Sequence, residues 1–560
     1  MERQIFAWDR SKHRLYLDSY RNDWLWILGL FSSAMLLLTI HLGDLPLGDW
    51  DEGIIAQVAR EIWQAREDSF KWLFPTLWGE PYFSQPPLVT NLIAFTYSLG
   101  GVNEWTARLP GALLTAISVP LVYGIGREIF SIRQPAIYAA LIYLTGLPVV
   151  HSGRLAMVDG AVLCFEVFTL WCALKSRRDL RWSLGIGIGL GLLGLTQGGM
   201  GFLMGAIALI FLAWDTPRLL SCAYLWIGIL LGSVPLMAWF VAQWLHYGEL
   251  FLNLGIFQSE IAPSSLDPQA PQFHVLTLLQ YAIPALVFCF SGLQLAQENM
   301  TWSWAKLVLI WSGLYLLAIC LSYNQVSLSL LPLYPALAIA GGAKLAELNS
   351  IPRDRAYPFL WTVFFALFAL GAMVFGIYFG ITQQHDPSLI VIFGAISLTM
   401  GMTALLIQQR DSQFIFIFFW GSYVSLLLFV TSPHWNWELQ QAYAVKPVAN
   451  LIQEADIPKA DPIYTSFPYE RPSLNFYSSR RILTPPSQEI QDLETVEAQD
   501  TQSVIPLQAL QQEWLQNYWQ KSSQPYLLLD LETLESRQLS SVKKIGATRR
   551  WILVTKTASL

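Results

Sequence analysis

The 560-residue sequence predicts an α-helical protein that crosses a membrane many times and ends in a small soluble α/β domain. Two observations carry this prediction. Only 13% of the residues are Asp, Glu, Lys or Arg, whereas an average soluble protein has about 25%. Apolar runs recur along most of the chain, but its last part is richer in Pro, Gln, Ser and Glu. This composition excludes a disordered chain and a nucleic-acid binder, and it argues against a simple soluble enzyme.

The apolar runs predict about thirteen transmembrane helices, since a bilayer crossing takes about 17 to 25 residues. The predicted spans lie near 24–42, 108–126, 135–150, 160–175, 183–199, 200–214, 219–240, 273–290, 305–321, 328–345, 358–380, 388–407 and 414–431. They make up a transmembrane domain over 1–431. The shorter run 87–100 follows two prolines, and we predict that it forms a juxtamembrane helix.

The placement of Lys and Arg predicts the orientation. A short loop holds a cluster of basic residues, which are Lys175, Arg177, Arg178 and Arg181. Such clusters stay on the cytoplasmic side of a membrane, so we expect a cytoplasmic N-terminus. The five cysteines lie in apolar stretches without CxxC spacing, and the sequon at 299–301 falls on the inner side. These features favour a multi-pass protein of a bacterial plasma (inner) membrane.

An odd number of spans places residues 432–560 on the side of the membrane opposite the cytoplasmic N-terminus. Short apolar runs at 526–530 and 551–555 are typical of strands, and the patterns at 442–454 and 505–519 are typical of helices. Strands that alternate with helices indicate an α/β fold. The sequence therefore predicts a small extracytoplasmic α/β domain over 432–560.

The long first outer loop, 43–107, holds the most informative cluster of carboxylates. Asp49, Asp51 and Glu52 precede apolar residues spaced three and four apart, which predicts an amphipathic helix along the membrane surface. Asp49 and Glu52 also fit a capping box at the start of that helix. A carboxylate beside an apolar boundary has the character of a general base, and Asp51 is our candidate.

A second group of charges lies at the outer end of the fourth predicted span. Asp159 either caps the helix that follows, pairs with Arg154 or serves the chemistry, because charge at a membrane needs a partner or a function. Glu166 lies seven residues deeper and either hydrogen-bonds to a neighbouring span or is functional. Glu80 and His274 are weak candidates for divalent-metal ligands, since their spacing matches no compact metal motif.

Several segments, taken in order, resemble the GT-C glycosyltransferases, and most closely the superfamily of protein O-mannosyltransferases and lipid A aminoarabinose transferases. These segments are 45–52 (LPLGDWDE), 79–87 (GEPYFSQPP), 102–110 (VNEWTARLP), 154–159 (RLAMVD), 195–198 (LTQG), 331–338 (LPLYPALA) and 471–480 (RPSLNFYSSR). The resemblance covers nearly the whole chain and implies a GT-C fold for the membrane domain.

The resemblance implies an inverting glycosyltransferase that takes a hexosyl or pentosyl group from a polyprenyl-phosphate carrier. The acceptor, a lipid, glycan or protein, would be modified at the outer face of the membrane. On matching positions, Asp51 would be the general base with Glu52 beside it, and Asp159 would orient the sugar or acceptor. Arg154 would hold the lipid phosphate. Other implied substrate contacts are Tyr82, Gln85, Gln197, Gln325 and Tyr334.

This chain departs from the family where the family often has lysine. Gln85, Gln197 and Gln325 stand at three such positions, Ser84 replaces a frequent Glu, and Ile54 replaces an arginine of the aminoarabinose transferases. No Lys or Arg occurs from 219 to 305. Three explanations stay open: another arginine (Arg154, Arg60 or Arg108) binds the phosphate, the donor differs, or activity is lost. The alternative functions are therefore a catalytically degenerate scaffold and a lipid or solute transporter.

Overall fold

The computed structural model describes residues 23–49, 51–65, 70–253, 284–321, 330–350, 357–382, 386–437, 439, 444–467, 469–486, 507–536 and 541–557. The helices are α1 (Asp23–Thr39), α2 (Asp51–Gln64), α3 (Leu88–Gly100), α4 (Glu104–Ile129), α5 (Gln134–Leu144), α6 (Leu147–Arg154), α7 (Asp159–Lys175), α8 (Ser183–Thr196), α9 (Gly198–Asp215), α10 (Ala223–Tyr247), α11 (Leu286–Glu298), α12 (Ser303–Leu321), α13 (Tyr334–Ser350), α14 (Phe359–Ile381), α15 (Pro387–Gln408), α16 (Phe414–Val430), α17 (Val445–Glu454), α18 (Pro472–Ser478), α19 (Leu507–Lys521) and α20 (Leu531–Ser536). The strands are β1 (Thr76–Leu77), β2 (Glu80–Pro81), β3 (Ile463–Thr465), β4 (Ile482–Leu483), β5 (Tyr526–Asp530), β6 (Val542–Ala547) and β7 (Trp551–Lys556).

The chain forms two compact units. The first unit comprises Met1–Gly43, Ile62–Pro75 and Pro81–Trp435. The second unit comprises Asp44–Glu61, Thr76–Glu80 and Asn436–Leu560. Part of the first outer loop thus belongs to the same compact unit as the C-terminal region, whereas the sequence had assigned that loop to the transmembrane domain.

The first unit is built of apolar helices. Within the described ranges, six helices are long and apolar enough to cross a membrane, namely α4, α9, α10, α12, α14 and α15. The protein is therefore a predominantly helical, multi-pass membrane protein. The helix predicted over 87–100 is present as α3, and its juxtamembrane position stays a prediction. Most of the predicted span at 273–290 lies outside the described residues, and α11 begins only at Leu286.

The span predicted over 135–150 is not one continuous helix. The chain forms two helices there, α5 and α6, which are bent by 55° at the residues between them. Pro148 lies in the first turn of α6. Proline has no N–H to donate and its ring clashes with the carbonyl group four residues earlier, which favours a bend or break in the helix here.

Small residues let α8 and α10 pack with their backbones almost in contact. Gly187 and Gly191 of α8 face Gly228 and Gly232 of α10, each pair spaced four residues apart. A Cβ atom built on Gly232 would lie 1.9 Å from the carbonyl oxygen of Gly187. Between apolar helices in a membrane, such close approach gains dispersion energy that larger side chains would prevent.

We expect Gly232→Val to destabilise the first unit strongly, because the neighbouring atoms belong to the backbone and cannot move aside. Overpacking commonly costs about 1–3 kcal/mol, and a clash with backbone belongs at the upper end. The melting temperature of the detergent-solubilised protein measures the effect. Gly371→Val in α14 is the matched control, since its Cβ would meet nothing within 4 Å. Equal melting temperatures for the two variants would contradict the prediction.

The C-terminal part of the second unit contains a five-stranded sheet in the order β4-β3-β5-β7-β6. The strands β4, β3 and β5 are parallel, and β7 and β6 continue the sheet in antiparallel pairing. Side chains alternate between its faces: Leu528 packs with Val448 of α17, whereas Leu527 and Leu529 pack with Trp519 of α19. The strands and helices predicted for this region are thus present as β5, β7, α17 and α19.

Candidate functional site

The turn that starts α2 carries the carboxylates predicted as catalytic. Glu52 is 3% exposed, and its Oε2 accepts a hydrogen bond of 2.7 Å from the backbone N–H of Gly48. The Asp49 carboxylate accepts a hydrogen bond of 2.9 Å from Arg471 Nε and another from the Ser473 hydroxyl. Glu52 therefore reaches back to Gly48, whereas the predicted capping box would have it accept from the N–H of Asp49. Asp49 ties this turn to the start of α18.

Asp51 differs from both neighbouring carboxylates because its side chain remains exposed to solvent. Partial desolvation by the chain packed around it raises the pKa of the Asp51 carboxyl, and the neighbouring Glu52 charge raises this pKa further. A raised pKa makes a carboxylate a better proton acceptor near neutral pH. Asp51 therefore combines solvent access with a raised pKa.

Arg60 lies on the same helix, in the second unit. Its guanidinium donates a hydrogen bond of 2.7 Å to the carbonyl oxygen of Phe476 and lies 4.4 Å above the centre of the Phe476 ring. The backbone N–H of Leu47 donates to the Tyr477 hydroxyl at 2.8 Å. Several polar contacts thus join α18 to α2 and to the segment that precedes α2.

Arg471 and Ser473 are residues that the sequence reasoning did not single out. They lie in the segment 471–480, which carried part of the family resemblance but received no role. Arg471 is 6% exposed and also lies 5.0 Å from the centre of the Phe467 ring. Because Glu470 stands directly before Arg471, the sequence offered a local partner and gave no signal of the ion pair with Asp49.

Arg154 of the first unit is fully buried, with 0% of its surface exposed. Its guanidinium donates to the carbonyl oxygens of Leu37 and Ile40 at 2.8 Å and of Val430 at 3.4 Å. It also lies 4.5 Å from the centre of the Trp435 ring. Arg154 therefore bonds to carbonyl groups at the C-terminal ends of α1 and α16, where helices present acceptors without intrahelical donors.

Arg108 approaches the same tryptophan. It is also fully buried, donates to the carbonyl oxygen of Leu42 at 3.0 Å and lies 5.1 Å from the centre of the Trp435 ring. The structure thus brings two of the three candidate phosphate-binding arginines together. The negative face of an indole offsets the positive charge of guanidinium groups held beside it.

The remaining candidates that the structure describes lie at the ends of helices or in the segments between helices of the first unit. Asp159 is the first residue of α7, so it is not that helix's N-cap. Gln197 separates α8 from α9, and Tyr334 begins α13. Tyr82 is buried, and Gln85 is half-buried in the segment before α3. Gln325 and His274 lie outside the described residues.

Glu80, the other candidate metal ligand, is 77% exposed and lies 3.8 Å from Arg481. Within the described ranges, no group of three or more His, Cys, Asp or Glu side chains could hold a metal ion.

Comparison with known proteins connects this architecture to a family. Residues 84–241 match the model of the dolichyl-phosphate-mannose-protein mannosyltransferase family. A relative from Pseudomonas fluorescens, named undecaprenyl phosphate-alpha-4-amino-4-deoxy-L-arabinose arabinosyl transferase 1, is 26% identical over 58% of this chain and 62% of its own length. A transferase of the same kind from Pectobacterium carotovorum is 26% identical over 64% of this chain and 67% of its own. For the first of these relatives, the match therefore spans less than two thirds of its length.

The solved structure of ArnT from Cupriavidus metallidurans shares the fold. It superposes with a TM-score of 0.72 at 18% identity, covering 95% of this chain and 98% of that protein. The same protein with bound undecaprenyl phosphate gives a TM-score of 0.71. The chain therefore shares the fold of ArnT, and its residues 84–241 resemble the dolichyl-phosphate-mannose-protein mannosyltransferase family.

Proposed function

We propose that the protein is an inverting glycosyltransferase that moves a sugar from a polyprenyl-phosphate carrier to an acceptor hydroxyl. The observation that carries this proposal is the exposed Asp51 carboxylate with its raised pKa, at the start of α2. The names of the relatives, which are arabinosyl transferases that use undecaprenyl phosphate sugars, support the carrier and the reaction class. The binding of undecaprenyl phosphate by ArnT supports the carrier as well.

In the proposed reaction, Asp51 accepts the proton of the acceptor hydroxyl as its oxygen attacks the anomeric carbon. The bond between that carbon and the phosphate oxygen breaks, and its electron pair leaves with the lipid phosphate. Attack opposite the leaving group inverts the anomeric centre. General-base assistance of this kind contributes about 10²- to 10⁴-fold to the rate, and a nearby cation stabilises the charge that develops on the phosphate.

The other residues take supporting roles in this proposal. Glu52 holds the turn beside Asp51, and Asp159 orients the sugar or the acceptor. Arg154 is the proposed cation, with Arg60 and Arg108 as the alternatives. The remaining substrate contacts are Tyr82, Tyr334, Gln85, Gln197 and Gln325.

The proposal includes a topology. Thirteen spans would leave the N-terminus in the cytoplasm and the α/β domain outside a plasma (inner) membrane. The positive-inside distribution of Lys and Arg supports this orientation. Reporter fusions that are active only outside the cytoplasm, placed at the C-terminus and in the loop 176–182, should give opposite results. Equal activity at both positions would contradict the orientation.

The test of function is transfer in proteoliposomes. The purified protein is incubated with undecaprenyl phosphate carrying defined hexoses or pentoses and with an extract of envelope lipids and glycans as acceptors, and lipid that co-purifies with it is identified by mass spectrometry. We expect one lipid-linked sugar to be consumed and free undecaprenyl phosphate to appear. Bound carrier without turnover of any donor would overturn the assignment of a transferase.

A catalytically degenerate homologue is the second candidate, favoured by Gln85. Within the described residues, its buried Oε1 has no hydrogen-bond donor, although family members often carry lysine at this position. Bound carrier without turnover, in the test above, is the result that this candidate predicts.

The raised pKa of Asp51 predicts the pH dependence of transfer. The rate should fall as pH drops through that pKa, at a higher pH than for an ordinary aspartate, because a protonated carboxyl cannot accept a proton. Glu52→Gln removes the smaller of the two causes and keeps an acceptor for Gly48. We therefore expect the acid limb of kcat/KM against pH to move to lower pH in this variant. A limb unchanged by Glu52→Gln would contradict the coupling between the two carboxylates.

A further inference from the structure

The loop between α7 and α8 carries several basic side chains, and two of them are paired within the first unit. Arg177 Nη2 lies 2.7 Å from the Asp215 carboxylate at the end of α9, and Arg178 Nη2 lies 3.2 Å from the Glu128 carboxylate of α4. The two carboxylate side chains are only 9% and 8% exposed. Each of these ion pairs therefore joins the loop to a neighbouring helix.

The other two basic residues, Lys175 and Arg181, differ in their surroundings. The Lys175 ammonium group lies 4.3 Å from the centre of the Trp171 ring and 4.1 Å from that of the Trp182 ring. Arg181 is exposed, and its backbone N–H donates to the Asp179 carboxylate at 3.0 Å. In the part of the chain that the structure describes, neither basic side chain forms an ion pair. Indole faces offset part of the Lys175 charge, whereas Arg181 presents its charge at the surface.

The ends of several apolar helices meet around this loop. Asp215 at the end of α9 also lies 3.6 Å from Lys306, near the start of α12, and residues 180–182 pack against α10. Three large apolar side chains here are about half exposed, namely Leu180 at 49%, Trp214 at 50% and Trp226 at 54%. Tryptophan is enriched where a membrane meets water, so the loop lies at the level of the lipid headgroups.

The charge and the apolar surface together restrict the partner. A phosphodiester supplies the negative charge that Lys175 and Arg181 lack, and a guanidinium matches the geometry of phosphate oxygens. The exposed Leu180 and the tryptophans offer apolar contact to acyl chains, which a soluble anion or an acidic protein does not bring. A zwitterionic lipid adds an ammonium group that two unpaired cations repel. An anionic phospholipid meets all of these conditions.

We infer that Lys175 and Arg181 bind the headgroup phosphate of an anionic phospholipid, with Leu180 beside its acyl chains. The loop thus divides its basic residues between two tasks: Arg177 and Arg178 hold helices together, and the other two hold lipid. A basic residue at a membrane surface contributes about fivefold to the affinity for anionic lipid. The inference concerns a site that the proposed transfer reaction does not use.

The test is native mass spectrometry of the purified full-length protein in detergent, titrated with phosphatidylglycerol or with phosphatidylcholine of the same acyl chains. We expect phosphatidylglycerol to bind about tenfold more tightly or better. In the double variant Lys175→Gln and Arg181→Gln, its affinity should fall about 25-fold, from about fivefold per charge, while the affinity for phosphatidylcholine stays unchanged.

A single variant guards against loss of folding in the double variant. Arg181→Gln alters an exposed side chain and should lower the affinity for phosphatidylglycerol about fivefold. Lys459→Gln is the matched control, because it removes one exposed positive charge from the second unit and should change nothing. Equal affinity of the wild type for both lipids would overturn the inference. So would a phosphatidylglycerol affinity that neither Arg181→Gln nor the double variant lowers.

Two further probes separate the lipid from other phosphates. Inorganic phosphate at millimolar concentration should leave the melting temperature unchanged; a rise that the double variant abolishes would assign the site to a soluble anion and overturn the inference. Undecaprenyl phosphate is the second probe. If the double variant lowers its affinity more than that of phosphatidylglycerol, the surface belongs to the carrier and the inference fails. Turnover of lipid-linked donor is measured separately and bears on the proposed function alone.

Discussion

Asp51→Asn is expected to abolish sugar transfer while the protein still folds and binds its lipid carrier. Asparagine matches the shape of aspartate but cannot accept a proton at neutral pH. Loss of a general base removes about 10²- to 10⁴-fold in rate, so transfer should fall at least a hundredfold. Because Asp51 is exposed, its replacement leaves no buried charge without a partner, and the melting temperature should stay close to that of the wild type.

The measurement is transfer in proteoliposomes, combined with the affinity for undecaprenyl phosphate. Glu454→Gln is the matched control, since Glu454 is an exposed carboxylate of the second unit, and its activity should equal that of the wild type. Asp49→Asn offers a contrast: it weakens the ion pair with Arg471 at 2.9 Å and should lower stability more than Asp51→Asn does. Full transfer by Asp51→Asn would exclude Asp51 as the base.

Local patterns were sufficient to predict most helices and the strands of the sheet. An apolar run of spanning length specifies a helix through its own composition, so α4, α9 and α14 were found close to their observed bounds. The apolar runs at 526–530 and 551–555 likewise predicted β5 and β7. The break between α5 and α6 was also readable, because Pro148 stands within the run that we took for one span.

The placement of the candidate site could be predicted less well, because it depends on residues far apart in sequence. The motif around Asp51 identified the helix and its carboxylates. The partners of Asp49 lie more than 400 positions later, at Arg471 and Ser473, and no local pattern links these segments. Arg60 shows the same limit: the sequence presents it as one more polar residue on an amphipathic helix, whereas its contacts with Phe476 are evident only from packing.

Arg154 illustrates how a charge can be recognised while its surroundings are missed. The family resemblance implied that it is a cation available to the lipid phosphate. In the structure, its donors meet carbonyl groups of Leu37, Ile40 and Val430. Acceptors of the backbone are present at every residue, so the sequence cannot indicate which of them a buried arginine will reach.

Arg154→Gln is therefore expected to destabilise the first unit severely. Glutamine is shorter and carries a single amide group, so it cannot reach all three carbonyl oxygens. A buried acceptor without a donor costs about 1–3 kcal/mol, and the loss of stacking on Trp435 at 4.5 Å adds to this. We expect a loss of about 3 kcal/mol or more in the free energy of unfolding, seen as a low yield of monodisperse protein and a lowered melting temperature.

Two further variants separate packing from phosphate binding. Arg218→Gln is the matched control, because Arg218 is exposed and its loss should leave the melting temperature unchanged. Arg154→Lys keeps the charge but replaces the planar fork by a point donor, so it should restore stability only in part. If Arg154 also holds the lipid phosphate, the folded fraction of Arg154→Gln binds undecaprenyl phosphate more weakly and Arg154→Lys recovers much of that affinity. If the affinity for undecaprenyl phosphate is unchanged in the folded fraction of both variants, Arg154 serves packing alone. Phosphate binding would then be assigned to Arg60 or Arg108.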